Sequence, residues 1–200
     1  GQDLARDAER QWRSEQYNQA YDSYLAARTQ FERALDVARD QEVNAAEDIR
    51  RRIDEVTHNL DHLSKSPLRR AEEAHERARD AEDPAASAAL LEDALEKHQT
   101  ALVLDWGNDE GRFAGDTDRL RERVSAIVDE LAVTRRTLAE RHRRRGEEHA
   151  SEGRHGQARE AFEQSREHLD TALRVAQGPR PDLVADLEAA LAARTADLGE

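Results

Sequence analysis

Residues 19–38, QAYDSYLAARTQFERALDVA, return 138 positions later as residues 157–176, QAREAFEQSREHLDTALRVA, identical at seven of twenty positions. Five of the seven fall on small and apolar residues: Ala20 with Ala158, Ala34 with Ala172, Leu35 with Leu173, Val37 with Val175, Ala38 with Ala176. Tyr24 is answered by Phe162 and Phe31 by Leu169. A repeat of this kind records how helices pack, and nothing in it provides a nucleophile, a phosphate loop or a metal cage.

Working outward, Tyr17, Ala20, Tyr24, Ala27, Phe31, Ala34, Leu35 and Ala38 form an i, i+3, i+4, i+7 stripe, which predicts one amphipathic helix. Residues 2–14 carry Leu4, Ala8 and Trp12 at helical spacing and predict a helix before it, with a turn near Glu15. Residues 43–63 place Ile49, Ile53, Val56, Leu60 and Leu63 in a coiled-coil-like 4-3-4-3 seam. Ser66 and Pro67 then read as a break, with proline opening the next helix.

A second copy follows at an offset of 67, where Ala94, Ala101, Leu102 and Leu104 take the places of Ala27, Ala34, Leu35 and Val37. Its third helix matches at an offset of 71, through Leu120, Val124, Ile127 and Leu131. The four extra residues fall in a glycine-rich stretch, 105–116, which predicts the one long loop. Residues 116–151 contain no proline and a single interior glycine, Gly146, so one helix is expected to serve two copies. Gly153, Arg154, His155 and Gly156 predict a turn, and Gly178, Pro179, Arg180 and Pro181 a break before a last helix with Leu183, Leu187, Leu191 and Leu198. The expected fold is all-α: an elongated array of about eight antiparallel helices in three three-helix repeats, 1–66, 67–134 and 135–200.

Gly153, Ala158 and Phe162, and likewise Tyr17, Ala20, Tyr24 and Ala27, resemble the second half of a tetratricopeptide repeat, where small residues let paired helices approach and an aromatic fills the gap. The helices are longer than that family's unit, and a third helix completes each copy. The grouping therefore looks more like an MIT (microtubule-interacting and transport) domain. This resemblance implies short peptides bound in grooves between helices.

Only 37% of residues are hydrophobic and 4% aromatic, with a mean hydropathy of -0.99, which suits a thin helical layer better than a thick globular core. The 44 acidic against 31 basic residues leave -13, which argues against a nucleic-acid partner because phosphate binding needs clustered positive charge. Residues 67–134 hold 17 acids and 9 bases, a net of -8, so the middle copy is the most acidic. Two lysines against 29 arginines, in an acid-rich chain, resemble the cytosolic proteins of salt-accumulating halophiles; a high-GC genome gives the same bias. There is no cysteine, so disulfide and thiolate chemistry are excluded. No apolar run reaches membrane-spanning length, so no membrane partner is expected and a cytoplasmic setting is. The start at Gly1 points to a trimmed or processed chain.

Candidate sites are few. Arg135, Arg136, Arg141, Arg143, Arg144 and Arg145 form the strongest local charge feature and could dock an acidic peptide, nucleic acid or a neighbouring subunit. Glu140, Glu147 and Glu148 stand at ion-pairing distance along the same helix, and that spacing favours an exposed, internally paired face. Trp106 and Phe113, in the glycine-rich stretch, either cap a helix bundle or contact a partner. Glu55, His58 and His62 share a helical face, but exposed ligands without a fourth bind a metal weakly, so no metal or cofactor is expected. His98 replaces the aromatic position of Phe31 and predicts a buried spacer. No serine or carboxylate stands in a recognisable catalytic setting.

These readings converge on a non-enzymatic scaffold or adaptor with a protein or peptide partner. Two other arrangements fit the pattern: the regulatory or oligomerising arm of a larger enzyme such as a nuclease or ATPase, and a homo-oligomer joined through the 4-3-4-3 seams.

Overall fold

A computed structural model describes residues 1–38, 43–106, 113 and 117–197. Among the described residues there are seven helices and no strand: α1 (Gln2–Arg13), α2 (Tyr17–Ala38), α3 (Val43–Arg79), α4 (Pro84–Trp106), α5 (Thr117–Ser151), α6 (His155–Ala176) and α7 (Pro181–Asp197).

The count is seven where about eight were expected because α3 does not stop at Pro67. An interior proline forfeits a backbone hydrogen bond and crowds the preceding turn, at about 3 kcal/mol. Burial on both sides outweighs that cost, since Leu63, Ser66, Ala71 and Ala74 are each 0–1% exposed. The Trp12 indole N–H also donates to Ser66 Oγ at 3.1 Å, fixing the residue that the proline would otherwise push out of helix. A second correction concerns the glycine-rich stretch: Asp105 and Trp106 are the last residues of α4. The stretch beyond them, apart from Phe113, and Leu198 lie outside the described residues.

The chain forms two compact units, residues 1–70 with 100–116, and residues 71–99 with 117–200. In the first, α1 packs along α2, and Tyr17, Ala20, Tyr24, Ala27 and Phe31 close on Ala8 and on Val56, Leu60 and Leu63 of α3. Full burial of one such large side chain contributes about 1.5–3 kcal/mol. The α1–α2 turn is set by its backbone: Glu15 N–H donates to Trp12 O and Gln16 N–H to Gln11 O, with Glu15 at φ 59°. That is a Schellman ending, which needs a left-handed residue. Arg70 Nη1 holds the Glu15 carboxylate at 2.7 Å.

In the second unit α5 packs along α6 and α6 along α7, and the core runs through Leu91, Val124, Ile127, Val128, Leu131, Leu138 and Leu187. The α5–α6 turn repeats the Schellman pattern, with Gly153 N–H to Ala150 O, Arg154 N–H to His149 O and Gly153 at φ 74°. Ser165, fully buried, donates to Ala139 O at 2.8 Å and ties α6 to α5.

Candidate functional site

Most apolar side chains of α5 point into the core, and Val133 does not. It is 65% exposed, while Leu131 and Ala132 beside it are buried. At 3.6 residues per turn, Val133 lies about 200° around the helix from Leu131, outside the core stripe. Depressions open on both sides of it. One, about 220 Å³, is lined by Ala132, Arg136, Arg180, Leu183 and Leu187 between α5 and α7. The other, about 370 Å³, is lined by Ala78, Arg79, Ser87, Leu91 and Thr134, where α5 meets α3 and α4. Asp129 and Val133 line both.

The result is an apolar strip with a charged border. Arg79 Nη2 meets Glu130 Oε1 at 2.5 Å, and His75 Nε2 meets the other oxygen at 2.9 Å. Burial works to raise the Glu130 carboxyl, and the hydrogen bonds from Arg79 and His75 outweigh it, holding the group below the usual carboxylate range. On the opposite border Arg180 bridges Asp129 and Asp182, and those hydrogen bonds hold its guanidinium above its ordinary value. The strip offers no nucleophile beside a base; it is suited to burying an apolar side chain between fixed charges.

The predicted arginine stretch divides. Arg135 binds Glu92 of α4 and lies 2.9 Å from His168 Nδ1. Arg143 and Arg144 both turn onto Glu140, and Arg143 also onto Glu147. The hydrogen bond from Arg143, against a smaller effect of burial, lowers the Glu140 carboxyl to about 2. Arg136, Arg141 and Arg145 are exposed. Arg141 and Arg145 are one turn apart, but Arg136 lies about 140° around the helix from Arg141, so these three do not share a face. Of the six, Arg136 alone borders the strip.

The other predicted residues lie elsewhere. Phe113 is 6% exposed in the core of the first unit, its ring 5.8 Å from that of Tyr21. The side chain of Trp106 lies outside the described residues. His58 and His62 are exposed on α3 with rings 4.3 Å apart, and no group of three or more metal-ligating side chains forms among the described residues. His98 is 1% exposed and faces His75. No helix among the described residues is long and apolar enough to cross a membrane.

Val133 was missed by the sequence reading. The signal was an apolar β-branched residue falling off the 120, 124, 127, 131 seam, on the side where α5 is otherwise polar. Comparison with protein-family models, with curated proteins and with solved structures finds no match for this chain.

Proposed function

We propose that the protein is a non-enzymatic helical-repeat scaffold, and that it binds a protein or peptide segment along the Val133 strip. The observation that carries this reading is a large apolar side chain left exposed between two depressions with charged borders. An amphipathic segment would place apolar side chains on either side of Val133, with an acidic residue facing Arg136.

The three-repeat grouping, in the manner of tetratricopeptide or MIT assemblies, belongs to the same proposal. It draws support from burial at matched offsets: Ala27, Ala94 and Ser165 are each fully buried, and Phe31, His98 and Leu169 are each at most 8% exposed.

The test is a peptide selection against the full chain, followed by binding measurements with the recovered sequences. Peptides should converge on two apolar residues at i, i+3 or i, i+4, and Val133→Asp should weaken them about tenfold or more with the melting temperature unchanged, since Val133 contributes little to the core. No saturable binding, or equal binding by Val133→Asp, would reject the proposal.

A further inference from the structure

The second unit holds two facing pairs of histidines, of which His75 reaches the border of the binding strip through Glu130. His75 of α3 and His98 of α4, 5% and 1% exposed, meet edge to face with ring centroids 5.9 Å apart. His98 Nδ1 lies 2.9 Å from Ala94 O, and a carbonyl only accepts, so Nδ1 carries the proton and the neutral ring has a bare Nε2. Besides His75, the charges facing His98 are Glu72 of α3 and Arg123 of α5. His75 is itself hydrogen-bonded to Glu130 of α5, which Arg79 of α3 also holds.

His142 of α5 and His168 of α6 form the second pair, with centroids 5.2 Å apart. Here the geometry requires a neutral ring. His168 Nδ1 is 2.9 Å from Arg135 Nη1, and a guanidinium nitrogen only donates, so Nδ1 must accept. A proton on that nitrogen would set two donors and two positive charges against each other. Glu92 of α4, a carboxylate acting on His168, is already engaged by Arg135. His142 faces Arg145 of its own helix and Gln164 of α6.

We propose that His98, His142 and His168 make the second unit acid-opened: with these three rings neutral its α3–α4 and α5–α6 seams are closed, and with them charged the seams part, while the first unit keeps its fold. The contrast between units is physical. The first unit's histidines, His58 and His62, stand exposed on α3, whereas His75 and His98 are buried between helices.

Burial pushes His98 below its ordinary range, and burial followed by Arg135 and His142 takes His168 down to about 4. His142 is lowered by burial and then by Arg145. An unfolded histidine takes up its proton near 6.5, so below that pH the opened chain binds more protons than the closed one. This contribution to stability is therefore full above 6.5 and falls as the pH drops from there, for His168 down to about 4, by up to about tenfold in the folding equilibrium per pH unit for each such group.

The experiment is an acid titration of the full chain followed by three probes. Histidine ring resonances should show His98 taking up its proton below pH 6.5, and His168 near 4, while the unit is closed. Far-ultraviolet ellipticity should fall before tryptophan emission shifts, because Trp12 and Trp106 both belong to the first unit. His98→Phe with His168→Gln, which keeps an acceptor for Arg135, should move the ellipticity midpoint about one pH unit lower. Ordinary titration of both rings near 6.5, coincident loss of ellipticity and emission, or a double variant with the parent's midpoint would each overturn the proposal. Should the double variant not fold, the ring titration and the order of the two optical signals in the parent chain decide it.

Discussion

Gly146 marks a close approach between α5 and α6: a Cβ at that position would lie 2.7 Å from the Phe162 ring. Alanine gains helix propensity there and loses more to overpacking, so Gly146→Ala should destabilise the chain by about 1–3 kcal/mol, read as a lower urea midpoint with an unchanged slope. The glycine was visible in the sequence as the one interruption in a helical run, but its cause was not, because Phe162 is brought to it by the fold. His98 shows the same limit. Its burial was legible from the place of Phe31 in the neighbouring copy. Its partner was not, although His75 stands 67 residues after Ala8 and 71 before Gly146, the same two offsets that relate the copies. The substitution of histidine for a small residue there turns a close helix contact into a polar pair. At the turns the repeat was more faithful than residue identity: Glu15 takes the left-handed position that Gly153 takes 138 residues later, and Arg70 holds its carboxylate.

Among the helices, α2, α5 and α6 were readable nearly to the residue, since each carries a long apolar stripe between turn-forming residues. α3 was misread at Pro67, because a local rule about proline competes with burial that only tertiary contacts supply. The two descriptions predict opposite effects of one substitution. A proline opening a helix is preorganised for its place, whereas one inside a helix weakens it. Pro67→Ala should therefore stabilise the chain by about 1–3 kcal/mol, seen as a higher melting temperature; a neutral or destabilising result would restore the break at residue 66. In α5 the arginine stretch was legible as composition and not as surface, because Arg135, Arg143 and Arg144 are taken up by Glu92, Glu140 and Glu147.

For the whole molecule, the net charge of -13 opposes folding through long-range repulsion, while its ion pairs are mostly exposed and separated by three or four residues along one helix. Such pairs contribute only about 0.2–0.5 kcal/mol each. Salt shortens the screening length from about 10 Å at 0.1 M to about 3 Å at 1 M, weakening both effects, and repulsion acting over many charges is the larger. The melting temperature should rise with sodium chloride up to about 1 M; a fall would show that the ion pairs dominate. Composition disclosed this balance, and helical periodicity disclosed the fold class. Neither disclosed the division into two units, because contiguous copies and contiguous packing are different properties of a chain.

That division has a consequence for synthesis. The first unit needs residues 100–116, including the buried Phe113, and Asp116 emerges 46 residues after Arg70. At about 5–20 residues per second, the first unit waits roughly 2–9 s for its last piece while residues 71–99, which belong to the other unit, are already outside the ribosome. The order in which this protein is made is therefore not the order in which its parts can be completed, and a nascent chain stalled near residue 99 would present Tyr21 without the ring that packs against it.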